Sequence, residues 1–115
     1  MWVTNKKKTG GYSIFNDNDV ELKKYNENKI YKTSVFTDKG DNILKIENKK
    51  IAVKIDVERH ERLVLEGLKE LLKKNKIFLQ IEIFDHMYHD IDSFLTKYNF
   101  KYLNKEGKNF FYKNY

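Results

Sequence analysis

The hydrophobic pattern is clearest between residues 50 and 84, where it predicts a strand, a helix and a second strand. The run Lys50–Val57 is rich in β-branched apolar residues and ends in acids, which is typical of a strand buried on both faces. From His60 to Lys74, apolar residues recur at three- and four-residue intervals and predict one amphipathic helix, with Asn75 as its stop. A second apolar run, Ile77–Phe84, follows at once. Joints this short predict parallel strands in a βαβ unit, which is half of an α/β cofactor-binding sheet.

A helix and a hairpin are predicted after this unit. Asp85–His89 has the composition of a loop, and Asp90 is placed to cap a helix with apolar residues at helical spacing. The strand-like segments Phe100–Leu103 and Asn109–Tyr112 then flank a loop that contains a glycine, as in a β-hairpin. We therefore expect an antiparallel pair at the end of the parallel sheet.

The N-terminal part carries weaker signals. Tyr12–Phe15 and Ile30–Phe36 are strand-like, Gly10-Gly11 marks a turn, and Asn42–Glu47 is short and helical or irregular. We expect residues 1–49 to flank the sheet and residues 50–115 to hold the βαβ unit, the helix and the hairpin. The predicted fold is thus a single truncated α/β domain, a partial Rossmann-like sheet.

Composition narrows the classes of function. The chain has 115 residues and a formal charge of +6, but its lysines are scattered among acids and amides, so no nucleic-acid partner is expected. No apolar run is long enough to cross a bilayer and the N-terminus lacks a secretory signal, which favours a cytoplasmic protein without a membrane partner. The absence of cysteine excludes disulfides, zinc ribbons and thiol catalysis.

The densest group of polar residues, Asp56–Glu61, lies where the first predicted strand ends and its helix begins. Open α/β sheets bind ligands outside the carboxyl ends of their strands. In an extended segment Asp56 and Glu58 would point to one side, and His60 would join them, so the three could orient a hydroxyl and accept its proton. A structural alternative is equally compatible with the sequence: Asp56 or Glu58 caps the helix, while His60 and Glu61 lie on a solvated face.

The segment Val53–Glu61, followed by Val64–Leu68, resembles the FkbM family of S-adenosylmethionine-dependent methyltransferases, whose pattern reads K-I-D-V-E-G-H-E and then V-L-x-G. Leu79–Ile83 looks like the family's next strand, which usually ends in a similar acid. The resemblance implies transfer of a methyl group from S-adenosylmethionine to a hydroxyl of a small molecule or glycan. It also implies roles for the matching residues in the site, and no metal is expected there. The catalytic candidates are Asp56, Glu58 and His60, and the substrate-binding candidates are Glu61 and Glu82.

Two departures from the family pattern change the expected activity. Arg59 occupies the position of the family's glycine, where a glycine permits a positive φ. The family's glycine-containing loop for the cofactor and the acid for its ribose are not found, because Gly10-Gly11 does not follow an apolar strand. We expect the chain alone to bind S-adenosylmethionine weakly and to be impaired. The alternative is a non-catalytic remnant or interaction module that pairs with a separate N-terminal half, or with itself.

Two further groups have structural interpretations that we favour. His86 and His89 are three residues apart and could ligate a metal, but a solvated loop is the favoured interpretation. The terminal aromatic residues could stack on bases, yet in a short strand they more often fill a core. These residues are Phe110, Phe111, Tyr112 and Tyr115.

Overall fold

The computed structural model describes residues 2–3, 12–13, 31–32 and 36–115, and the chain divides into two compact units, 1–37 and 38–115. In the first unit, strands β1 (Trp2–Val3), β2 (Tyr12–Ser13) and β3 (Tyr31–Lys32) pair antiparallel in the order β2-β1-β3. Strands β2 and β3 lie inside the two segments predicted as strands. The rest of those segments, except Phe36, and the turn predicted at Gly10-Gly11 lie outside the described residues.

The second unit contains the predicted α/β sheet. Its elements are α1 (Gly40–Ile43), β4 (Lys50–Ile55), α2 (Glu61–Glu66), α3 (Lys69–Lys74), β5 (Lys76–Glu82), a 3-10 turn (Asp85–Met87), α4 (Tyr88–Lys97), β6 (Lys101–Glu106) and β7 (Asn109–Lys113). The four strands are ordered β4-β5-β7-β6. Strands β4 and β5 pair in parallel and the other neighbours pair antiparallel, which confirms the βαβ unit and the terminal hairpin.

The core lies on one face of this sheet. Ile77, Leu79 and Ile81 alternate along β5 and have no exposed surface, and they pack with the buried apolar residues of α2, α3 and α4. The intervening Phe78 is 38% exposed. The prediction that β4 is buried on both faces was wrong, because β4 is an edge strand in which Ile55 alone is fully buried. An apolar run does not reveal where its strand will lie in the sheet.

The single helix predicted between His60 and Lys74 is two helices, α2 and α3. The break lies at Gly67 and Leu68, where the Gly67 carbonyl accepts a hydrogen bond from the Asp41 amide (2.9 Å). The Asp41 carboxylate accepts hydrogen bonds from the first-turn amides of α3, at Glu70 (2.9 Å) and Leu71 (3.0 Å). A cap from a distant segment therefore starts α3, as periodicity within the helix could not indicate.

Two asparagines close the end of the sheet where β5 begins. The Asn75 side chain donates to the Ile46 carbonyl (2.7 Å) and accepts from the Lys49 amide (3.0 Å), and Asn75 ends α3 as predicted. The Asn114 side chain accepts from the Ile77 amide (2.7 Å). These side chains satisfy buried backbone groups at the helix and strand ends.

The helix predicted to follow an Asp90 cap begins earlier. The 3-10 turn leads directly into α4 at Tyr88, so Asp90 lies inside the first turn and does not cap the helix. Among the described residues, no helix is long and apolar enough to cross a membrane.

The hairpin is longer than predicted, since its strands run to Glu106 and from Asn109, and Gly107 takes the positive φ (+56°) that its turn requires. The prediction that the C-terminal aromatic residues fill the core holds in part. Phe110 and Tyr112 are buried in the core, whereas Phe111 is partly exposed and Tyr115 is 43% exposed.

The long-range cap on α3 can be tested by substitution. We expect Asp41→Ala to lower the free energy of unfolding by about 1–2 kcal/mol, because two first-turn amides of α3 lose their acceptor. Asp41→Asn, which keeps one acceptor oxygen, should lower the free energy of unfolding by less than Asp41→Ala does. Urea denaturation followed by circular dichroism measures both.

Asp38→Ala is the matched control for this substitution. The Asp38 side chain is exposed and accepts hydrogen bonds from the neighbouring Lys39 amide and Asn42 side chain, so its loss should change stability by less than about 0.5 kcal/mol. Equal effects of Asp38→Ala and Asp41→Ala would contradict the cap.

Candidate functional site

Three carboxylates meet at one edge of the sheet. Because β4 and β5 are parallel, their carboxyl ends lie side by side: Asp56 directly follows β4 and Glu82 is the last residue of β5. One carboxylate oxygen of each, together with one of Glu58 from the following loop, lies within 4.8 Å of the other two. The structure thus gathers two of the predicted catalytic residues and one of the predicted substrate-binding residues. Asp56 and Glu58 are exposed to solvent, while Glu82 is partly buried.

Crowding of negative charge shifts the titration of Glu82. Partial burial raises the pKa of Glu82 above its ordinary value of 4.5, and the neighbouring carboxylates Asp56 and Glu58 raise it further. A side-chain hydrogen bond with Asp56 acts in the same direction, while Lys108 opposes the shift. Glu82 therefore holds a proton more tightly than an exposed glutamate does.

The loop between β4 and α2 has an uncommon backbone conformation. Glu58 (φ +50°) and Arg59 (φ +77°) both take positive φ, which L side chains rarely adopt. Arg59 stands where the resemblance expects a glycine, so the turn keeps the conformation that glycine prefers instead of relaxing. The Arg59 guanidinium lies over the Phe84 ring, 5.2 Å from its centroid.

The buried side chain of Glu61 stabilises this loop through hydrogen bonds. Its side chain has no exposed surface, and Oε1 accepts hydrogen bonds from the Val57 amide (3.3 Å) and the Arg59 amide (3.2 Å). The alternative that Glu61 lies on a solvated face was wrong, because the loop folds over it. Its other oxygen, Oε2, is buried without a hydrogen-bond partner in the part of the chain that the structure describes. Direct contact of Glu61 with a substrate stays a prediction.

His60 is not part of the carboxylate group. It occupies the N-cap position of α2, and its Nδ1 lies 3.3 Å from the Glu58 carbonyl oxygen. The alternation that would have aligned it with Asp56 and Glu58 ends where the backbone turns to positive φ. The N-cap residue of α2 is His60 and not Asp56 or Glu58, and the His60 side chain makes no capping hydrogen bond.

Two lysines border the carboxylates, and the sequence pattern singled out neither. Lys54 Nζ lies 3.2 Å from Asp56 Oδ2, a pairing that two-residue spacing on a strand could have suggested. Lys108 lies in the hairpin turn, where its carbonyl accepts from the Ile83 amide (2.9 Å) and its ammonium group lies 4.3 Å from the centroid of the Phe84 ring. Only the folding of the hairpin beside β5 brings Lys108 to the site.

The three carboxylate groups limit which ligands the site can bind. Three carboxylate oxygens suit a hydroxyl group or a hard cation, and among the described residues His86 and His89 do not join a ligand group. The described residues do not fit S-adenosylmethionine. Their glycines are Gly40 packed against Leu68, Gly67 in the helix break and Gly107 in the hairpin, so none of them forms a loop between a strand and the helix that follows it.

Replacement of Arg59 tests the strained loop. We expect Arg59→Gly to be more stable than Arg59→Ala by about 1 kcal/mol, because both variants lose the contact with Phe84 and only glycine adopts the positive φ without strain. Thermal and urea denaturation measure the difference. Equal stabilities would mean that the loop has another conformation in solution.

The raised pKa of Glu82 predicts a pH dependence of stability. A carboxyl group whose pKa is higher in the folded chain stabilises the fold below its unfolded pKa, and this contribution is lost as pH rises through the folded pKa. Glu82→Gln, which cannot ionise, should therefore melt at a higher temperature than the parent at pH 7. The difference should vanish near pH 4. Glu106→Gln, at an exposed position of β6, is the control and should leave the dependence of melting temperature on pH as in the parent. If the melting temperatures of Glu82→Gln and the parent changed in parallel with pH, the crowding of negative charge around Glu82 would be contradicted.

Comparison with known proteins identifies the family. The sequence profile described as "Methyltransferase FkbM domain" matches residues 17–102, which include all five predicted site residues. No curated protein and no solved structure matches the chain. The family match covers most of the chain, and the sheet, the acid-rich strand ends and the glycine-like turn agree with the resemblance seen in the sequence. The chain belongs to the FkbM methyltransferase family.

Proposed function

We propose that the acid-lined edge of the sheet is the acceptor site of an FkbM-type O-methyltransferase. The observation that carries this proposal is the meeting of Asp56, Glu58 and Glu82 oxygens within 4.8 Å at the carboxyl ends of two parallel strands. This is the edge where open α/β sheets bind their ligands. The acceptor is a hydroxyl group of a small molecule or a glycan.

The carboxylates perform two tasks at such a hydroxyl. Asp56 and Glu58, which solvent reaches, accept hydrogen bonds from the acceptor and fix its orientation. Glu82 is the base, because a carboxylate with a raised pKa takes a proton more readily than one with an ordinary pKa. Glu61 positions the loop that carries Glu58, through the two amides it binds.

The isolated chain is a poor enzyme in this proposal. The family's methyl donor is S-adenosylmethionine, and neither a glycine loop after a strand nor an acid for the ribose is found in this sequence. The chain supplies the acceptor side of the site, and the donor side has to come from elsewhere. Methyl transfer by the chain alone is therefore impaired.

Calorimetric titration with S-adenosylmethionine tests this division of the site. We expect no saturable binding to the isolated chain at ligand concentrations up to about 1 mM, which corresponds to a binding free energy weaker than about 4 kcal/mol. One-to-one binding with a micromolar dissociation constant would show that the cofactor site is present in this chain. The Asp56→Asn variant then serves as a control that keeps the fold and alters only the acceptor side.

A second candidate function is association with a separate polypeptide that completes the sheet. Strand β4 is at the end of the strand order, and the Lys76 amide donates to the Lys49 carbonyl (2.8 Å). In a parallel ladder with this register, odd-numbered residues of β4 bond to β5, and the peptide groups of Ala52 and Lys54 point away from the sheet. Such an edge is a template for another strand.

Amide hydrogen exchange followed by NMR tests whether this edge is open. In the isolated chain the amides of Ala52 and Lys54 should exchange rapidly, whereas that of Val53 should be protected by its bond to β5. Protection of Ala52 and Lys54 would mean that the edge is already paired.

A matched pair of proline variants provides an independent control. Ala52→Pro removes an outward-facing amide and should still fold, whereas Val53→Pro removes a ladder hydrogen bond and should lose about 1–3 kcal/mol, because its acceptor on β5 is left unpaired. Equal losses would contradict the register that leaves Ala52 at an open edge.

A further inference from the structure

One face of the four-stranded sheet lacks a covering layer among residues 36–115. Helices α2, α3 and α4 pack on the face that carries Ile77, Leu79 and Ile81. The residues between these on β5, and those directly opposite them on β4 and β7, form the other face, which we call the open face. Its apolar centre consists of Ala52, Phe78 and Phe111.

The apolar centre is a continuous patch. Ala52 lies opposite Phe78 in the ladder, and the rings of Phe78 and Phe111 are 6.1 Å apart between centroids, tilted by 38°. Phe78 is 38% exposed and Ala52 is exposed as well, so the patch meets solvent at the middle of the sheet. Contiguous apolar surface that stays exposed is a feature of interaction sites.

Charge is distributed unevenly around this patch. Ladder partners share a face, and by that rule lysines surround the apolar centre on all four strands, while acids occur only at the end of the face beside the carboxylate site. The lysines of the open face are Lys50, Lys54, Lys76, Lys101 and Lys113. The acids are Glu82 and Glu106 within the strands and Asp56 just after β4, where it pairs with Lys54. Lysines that are scattered in the sequence are thus gathered by the sheet.

We propose that the open face docks an amphipathic helix of a partner polypeptide, with the apolar stripe of the helix on Phe78 and Phe111 and acidic flanks over the lysines. Sheets of parallel strands are covered by helices on both faces, and β4 and β5 form a parallel pair with helices on one face only among the described residues. The rim of lysines selects a helix with acidic flanks through charge complementarity. The inference deepens the proposed association, because the partner that covers this face also borders Glu82 and shields the acceptor site from water.

A second copy of the chain fits this surface poorly. Two open faces stacked on one another would oppose lysine to lysine. Two β4 edges paired antiparallel about Ala52 would set Lys50 of one copy against Lys54 of the other, and like charges directly opposite destabilise a strand pair.

A single-stranded nucleic acid fits less well than a polypeptide. It would meet the lysines, but it would leave the adjoining peptide groups of the β4 edge without partners. The acids at one end of the open face would also repel its phosphates.

The test uses two synthetic helices of about five turns, each with a leucine stripe, one flanked by glutamates and the other by lysines. Titration of the isotope-labelled full chain, followed by NMR, measures the affinity and locates the contact. We expect the glutamate-flanked helix to bind at least about tenfold more tightly at low salt, a difference of about 1.4 kcal/mol, and to lose affinity as salt is raised. The largest shifts should occur at Phe78, Phe111 and Lys113.

A charge swap provides the decisive comparison. The double variant Lys54→Glu/Lys113→Glu should reverse the preference and bind the lysine-flanked helix more tightly. Lys69→Glu/Lys97→Glu makes the same change of net charge on the exposed surface of α3 and α4 and should leave the preference as in the parent. Circular dichroism verifies that each variant is folded.

Three results would overturn the inference. The first is equal affinity for both helices, and the second is chemical-shift changes confined to the face covered by α2, α3 and α4. The third is a preference for the glutamate-flanked helix that the Lys54 and Lys113 substitutions do not change. Binding of a uridine oligonucleotide in place of either helix would assign the surface to nucleic acid instead, and a dimer in light scattering would assign it to a second copy. The Ala52→Pro variant separates the two proposals: it removes the outward amide that strand addition at β4 uses, keeps an apolar residue at this position, and leaves Phe78, Phe111 and the lysines of the open face unchanged. Helix binding that survives it therefore concerns this face and not the β4 edge.

Discussion

Burial of alternate residues along β5 is the constraint on which the rest of the second unit depends. Ile77, Leu79 and Ile81 expose no surface, and each such side chain contributes about 1.5–3 kcal/mol when fully buried. Because these side chains share one face, the α2–α3 connection and α4 must both cover that face. The parallel partner β4 and the antiparallel hairpin then occupy the two sides of β5.

The pairing of β4 and β5 also creates the acid-lined edge of the sheet. It sets carboxylates from two strand ends against one another and raises the pKa of Glu82. It also leaves a loop in which Glu58 and Arg59 hold positive φ. Glu61 stabilises this arrangement from inside, since one buried oxygen binds two loop amides. Clustered charge and backbone strain occur together at this edge, and both are enriched at functional sites.

One-sided packing gives the chain a second distinctive property. The α2–α3 crossover and α4 leave the opposite face of the sheet with aromatic residues at its centre and lysines at its rim. This face adjoins both the β4 edge and the carboxylates, so whatever covers it will also change the solvent exposure of Glu82. Under the proposed function, completing the sheet and completing the acceptor site are therefore coupled.

The local elements and the family could be predicted from the sequence alone. Hydrophobic periodicity predicted the βαβ unit and the hairpin, and the acids after Ile55 placed the site at a strand end, because these features depend on residues close together in the chain. The family pattern around Asp56 was also local.

The features that join distant residues depend on the tertiary structure. It divided the predicted helix through a cap from Asp41, made β4 an edge strand, buried Glu61 under its loop, separated His60 from the carboxylates and brought Lys108 beside Glu82. Periodicity records which face of an element is apolar. It does not record which other segment will meet that face, because the order of the strands and the contacts between segments are set by packing of the whole unit.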